Sequence, residues 1–238
     1  RKNGQPAEAK KVYDAILGLK PEEKDAYFLR GSAELELGDY ESAKADFDKA
    51  ISMDPKNYDR LIEIYEALAD YGYREVGQEY LQNVLNTDKK LDAYDSGRIY
   101  YYLGDYQKAY LALEEAKGKG GVDSYLYLGK AYAATGDYNY ASSVYSNYLS
   151  KQGPDAEIYN QLGLCELAKK DYQKALEAFQ AGKQIEGNSL MQTLSFNEIV
   201  AYEYLQDYQK AAVLLKAYLQ NYPDDQAAIR EQQFLSTR

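Results

Sequence analysis

Histidine is absent from the 238 residues. That removes Ser–His and Cys–His nucleophile systems and every histidine metal site. The single cysteine, Cys165, cannot pair within the chain. It falls in an apolar helical run where other segments place Ala33, Ala67, Ala131 and Ala201, so it reads as a small buried hydrophobe. Lys117-Gly118-Lys119-Gly120-Gly121 has the composition of a phosphate loop, but it lacks the following Ser or Thr and the preceding strand, and a flexible connection is expected there. The 38 acidic residues could supply carboxylate pairs for a hydrolase, yet no calcium-loop spacing accompanies them, and on helices they read as solvated faces. With 38 acidic against 28 basic residues the net charge is −10, and no basic stripe exists to hold phosphates, which argues against nucleic acid. No metal or other cofactor is implied. The remaining excess is tyrosine, 28 copies with no tryptophan, a residue suited to packing and to partner contacts alike.

The elements that carry these residues repeat. Asp-Tyr stands at Asp39-Tyr40, Asp105-Tyr106, Asp137-Tyr138, Asp171-Tyr172 and Asp207-Tyr208, a period near 34 residues with one copy skipped around Tyr71-Gly72-Tyr73. In the block from Tyr27 to Pro55, apolar and small residues keep helical spacing to Leu37, and Gly38-Asp39 stops that run. A second run then carries Ala43, Phe47 and Ala50 on one face, and Pro55 closes the block. Each block is therefore an antiparallel helix pair with a tight turn, and the fold class is all-α. No apolar run approaches the ~18 residues of a membrane span.

This block resembles the tetratricopeptide repeat (TPR), and the same marks recur in Gly97, Gly104 and Ala109, in Gly129, Gly136 and Ala141, in Gly163, Ala175 and Phe179, and in Ala211, Leu215 and Pro223. The resemblance implies an α-solenoid whose helix pairs wind into a right-handed superhelix with a concave groove. It sets the expected organisation as a single array: 4–21 a half repeat with only its second helix, 24–57 repeat 1, 58–89 a degenerate repeat 2, 90–121 repeat 3, 122–155 repeat 4, 156–189 repeat 5, 192–225 repeat 6, and 226–238 a capping helix begun by Asp225. The half repeat suggests that the natural chain extends upstream. The small residues of paired helices should meet, Gly129 against Ala141 and Gly163 against Ala175. Repeat 2 has Tyr65 where its siblings have Gly and Gly77 where they have Ala, which reads as compensation within one contact. Ile199 likewise takes the small-residue place in repeat 6.

In this family the first helices of successive units line the groove that partners use. Carried onto this chain, the groove positions are Tyr94, Asp95, Arg98, Tyr101 and Tyr102, then Leu126, Tyr127 and Lys130, then Asn160, Gln161 and Leu164, then Phe196, Asn197, Val200 and Tyr204. Asp25, Phe28, Asp59, Glu63, Glu66 and Asp70 supply an acidic first third. Tyr94, Arg98, Tyr101, Tyr102, Tyr127, Lys130, Asn160, Gln161, Asn197 and Tyr204 are the candidate partner-binding residues, with the amides suited to an extended peptide backbone. Only Arg98 and Lys130 among the groove positions are cationic, which argues against a clamp for chaperone C-terminal tails. The expected function is a non-enzymatic protein-interaction scaffold. The alternative is an assembly component of an envelope-associated, lipoprotein-like complex working through repeat ends or the convex face. The stretch Tyr222 to Arg238 is similar in style to the endings of bacterial TPR proteins, some of them surface lipoproteins, so a membrane-anchored extracytoplasmic location is favoured slightly over the cytoplasm.

Overall fold

A computed structural model describes residues 5–117, 119 and 121–236. The Lys117–Gly121 stretch therefore falls partly outside the described residues, as do Gly4, Thr237 and Arg238. Among the described residues there are fourteen helices and no strand. They form two compact units divided between Gly104 and Asp105, inside the stretch 90–121 that the repeat pattern reads as one. Unit 1 holds α1 (Pro6–Leu19), α2 (Lys24–Glu36), α3 (Tyr40–Met53), α4 (Tyr58–Asp70), α5 (Arg74–Thr87) and α6 (Ala93–Leu103). Unit 2 holds α7 (Tyr106–Ala116), α8 (Gly121–Ala134), α9 (Tyr138–Gln152), α10 (Ala156–Ala168), α11 (Tyr172–Lys183), α12 (Met191–Tyr204), α13 (Tyr208–Asn221) and α14 (Gln226–Leu235). Within each unit every helix packs on the next along the chain, as an α-solenoid requires.

The Asp-Tyr dipeptide works as a helix start. The carboxylates of Asp39, Asp105, Asp137, Asp171 and Asp207 accept the backbone N–H of Ser42, Lys108, Tyr140, Lys174 and Lys210. Each cap satisfies an otherwise orphaned donor and is worth about 1 kcal/mol. In α5 the cap residue is Tyr73, which makes no such bond. The residue before the cap needs a left-handed backbone: Gly38, Gly72, Gly104 and Gly136 have φ of +80° to +90°, whereas Lys170 and Gln206 adopt the same region at +64° and +63°.

Close packing of helix pairs runs through a glycine and a ring. A Cβ built on Gly31 would lie 2.8 Å from Phe47, on Gly129 2.2 Å from Tyr145, and on Gly163 2.3 Å from Phe179. For Gly129 and Gly163 the nearest atoms therefore belong to the aromatic four residues beyond the expected alanine, because the flat ring, and not the alanine methyl, fills the space that the absent Cβ leaves. Gly77 is the mirror case: its Cβ would lie 2.9 Å from the Tyr65 ring. The large residue has moved to the first helix, and the second helix has given up its methyl group.

The acidic residues do not all lie on solvated faces. Glu34, Asp46, Glu166 and Glu198 are buried, each beside a cation that offsets its desolvation. Lys10 donates to Glu34 at 2.8 Å, Arg30 grips Asp46 with two bonds of 2.6 and 2.8 Å, Lys169 reaches Glu166 at 2.8 Å, and Lys183 reaches Glu198 at 2.6 Å. Cys165 is buried, and burial pushes its thiol up to about 12, so it stays protonated and inert at neutral pH. No described helix is long and apolar enough to cross a membrane.

Candidate functional site

The candidate residues divide between the two units. In unit 1 they lie on α6, beside the face of α2 and α4. Arg98 is buried, stacks 4.3 Å from the Tyr94 ring, and donates to Asp59 on α4 and Asp95 on its own helix, both at 2.5 Å. Burial disfavours the charge of Arg98, but the bonds to Asp59 and Asp95 outweigh it and keep the guanidinium protonated. Arg60 on α4 repeats the motif one helix pair earlier, over the Phe28 ring at 4.0 Å and bonded to Asp25 on α2 at 2.8 Å. The arginines thus bolt successive first helices together. What they leave toward solvent is carboxylate: the Asp59 side chain keeps 75% of its surface exposed. Tyr102 donates to Glu66 at 2.6 Å and meets Tyr101 edge-on at 5.4 Å.

In unit 2 the candidates lie on α8, α10 and α12. Tyr127 and Lys130 are neighbours, with the ammonium 6.0 Å from the ring centroid. Lys130 also pairs at 3.6 Å with Glu157 on α10, and Gln161 donates to the same carboxylate at 2.8 Å. Glu157 was not among the candidates; it stands four residues before Gln161, one helical turn away, and that spacing was the available signal. Asn197 on α12 donates to Asn160 Oδ1 on α10 at 2.9 Å. Asn160 is buried and Asn197 partly so, and among the described residues neither amide has another hydrogen-bond partner. That leaves the two N–H groups of Asn160, the second N–H of Asn197 and the Asn197 carbonyl oxygen. Leu164 is 40% exposed beside them. Tyr204 stands apart: it stacks on Tyr172 at 4.9 Å near the α12 C-terminus and keeps half its surface in solvent.

Among the described residues no group of three or more acidic or Cys side chains could hold a metal ion. The arrangement offers stacking rings, amides and carboxylates on rigid helices, which is the chemistry of recognition.

Paired helices on a repeating register define an α-helical repeat protein. Models described as Tetratricopeptide repeat match residues 1–58 and 126–189, and a second such model matches 196–225. These segments take in more than half of the chain, which belongs to the tetratricopeptide repeat family. No curated protein sequence matches it. Among solved structures, a tetratricopeptide repeat protein from Parabacteroides merdae aligns with TM-score 0.68 at 15% identity, covering 99% of this chain and 94% of that one. A chain of the APC/C hetero-tetramer Cut9-Hcn1 aligns with TM-score 0.59 at 18% identity, and this protein covers 46% of its length while 98% of this protein is matched. YrrB, a TPR protein with an unusual peptide-binding site, aligns with TM-score 0.51 at 18% identity over 94% of this chain and 100% of its own. At these identities the likeness is one of fold.

Proposed function

We propose that the chain is a non-catalytic protein-interaction scaffold that holds an extended peptide or protein segment on the first helices of its repeats. The observation that carries this reading is the Asn160–Asn197 pair. An extended peptide group needs a donor and an acceptor, and the pair offers both, the N–H groups of Asn160 and the carbonyl oxygen of Asn197. The amides are already ordered by their mutual bond, so little side-chain entropy is lost on binding. Tyr127, Lys130 and Gln161 border the pair on α8 and α10 and would contact side chains of the bound segment. In unit 1, Tyr94, Tyr101 and Tyr102 offer rings, Arg98 acts by holding them and Asp59 in place, and the exposed carboxylates favour a segment with basic residues. The peptide-binding site named for YrrB is in keeping with this reading.

The test is selection of a displayed random-peptide library on the folded chain, followed by binding measurements on the selected peptides. Asn160→Ala with Asn197→Ala should cost about 1–3 kcal/mol of binding through the unmade backbone bonds, with the helical circular dichroism unchanged. Equal affinity for a folded double variant overturns this site.

A further inference from the structure

The side of α12 opposite Asn197 carries a cavity. Asn197 turns toward α10, whereas the next residue, Glu198, turns toward α11. On that side α11, α12 and α13 enclose a space of about 240 Å³. Met191, Ile199, Leu214, Ala217 and Tyr218 give it apolar walls. Ile199 and Tyr218 are buried, and the Tyr218 ring packs on Phe196 at 5.7 Å and on Tyr222 at 4.8 Å. Its hydroxyl donates to Asp225 at 2.5 Å, which fixes the ring in place.

The remaining wall is polar. Lys183 and Glu198 line it as an ion pair, with Nζ 2.6 Å from Oε2, and Gln180 donates to Glu198 Oε1 at 2.9 Å. An ammonium has three N–H groups and a carboxylate about four lone-pair sites, so the pair keeps both donors and acceptors to spare. Ser195 adds a hydroxyl to the lining one helical turn before Glu198.

These walls select a ligand. A ligand carboxylate would face Glu198 and a ligand ammonium would face Lys183, so either charge meets its own sign. A neutral ligand avoids both. A dry apolar cavity of about 150 Å³ admits benzene, so this one has room for a ring with one or two small substituents. A hydroxyl on that ring accepts from Lys183 and donates to Glu198. A bare ring can do neither, and an indole can only donate.

We propose that this cavity binds a phenol, its ring against Ile199, Leu214 and Tyr218 and its hydroxyl between Lys183 and Glu198. Free phenols and the tyrosine side chain of a partner segment share that chemistry. The site is separate from the Asn160–Asn197 pair and stands without it.

Amide chemical shifts of the full chain, titrated with p-cresol and with toluene, test the site. p-Cresol should shift amides of α12 and α13 around Ser195 and Leu214 saturably, with a Kd at least about tenfold below that of toluene, because only the phenol engages the ion pair. Ser195→Leu and Ala217→Leu each put carbon into the cavity and leave the ion pair alone, so each should abolish the response with helical circular dichroism unchanged. Ala217 is exposed, so its variant carries the test if Ser195→Leu misfolds. N-Acetyltyrosine amide separates the sources: binding as tight as that of p-cresol assigns the cavity to a partner's tyrosine, and its exclusion assigns the cavity to free phenols. Equal affinity for p-cresol and toluene overturns the proposal. So does the absence of any saturable shift, or a p-cresol response undiminished in the folded variants.

Discussion

Phe179 lies across Gly163 so closely that a Cβ there would come within 2.3 Å of the ring. The two residues are sixteen apart, and the same spacing joins Gly31 to Phe47 and Gly129 to Tyr145. Where the first-helix residue is large, as Tyr65 and Ile199 are, the residue sixteen along is the smaller Leu81 or Leu215. These five helix pairs therefore trade volume between the two sides of one contact, whereas Gly97, with Leu113 sixteen along, departs from the pattern in sequence.

The trade predicts a compensating double change. Gly163→Ala should lower stability by about 1–3 kcal/mol through overpacking, and adding Phe179→Leu should recover most of it. Urea denaturation of the two single variants and the double variant measures the coupling. Additive losses would show that the ring and the glycine do not share one space.

Gly77 tests the inverted contact. Gly77→Leu drives a side chain into Tyr65, whereas Ala212 is exposed on α13. Gly77→Leu should therefore shift the denaturation midpoint well below that of Ala212→Leu. Equal midpoints for the two variants would refute the compensation.

Two turns carry avoidable strain. Lys170 and Gln206 hold the left-handed backbone that glycine takes in the sibling turns. Lys170→Gly and Gln206→Gly should each stabilise by about 1 kcal/mol at most, while Gly136→Ala, at φ +84°, should destabilise by a similar amount. Thermal unfolding of the three variants decides the sign of each.

Alkaline pH should weaken both units. The Tyr58 hydroxyl bonds Asp88, and burial together with that carboxylate pushes it up to about 12. Tyr218 is likewise pushed up to about 12 by burial and by Asp225. A raised acid contributes stability that is complete below its ordinary value near 10 and is lost as pH rises through about 12. Tyr58→Phe and Tyr218→Phe should be less stable than the parent at pH 8, with a shallower further loss between pH 10 and 12. Denaturation midpoints across that interval check both halves of the statement.

The sequence by itself determined the helical repeat, the turns and the absence of histidine chemistry, because these rest on local rules: a cap residue, a left-handed glycine and a 3.6-residue apolar spacing. Asp39, Asp105, Asp137, Asp171 and Asp207 could be read as helix boundaries before any packing was known. Tyr65 opposite Gly77 was legible too, since register alone aligns them. Only the tertiary structure decided what a groove position does with its side chain. Arg98 was expected to offer its charge to a partner, but Asp59 from another helix draws it inward, and the resulting ion pair bolts α4 to α6. Asn160 and Asn197 are 37 residues apart and meet only once α10 and α12 stack. In each case the partner is distant in sequence, so no local periodicity carries the information, and the burial that makes the charge or amide matter exists only after the helices pack.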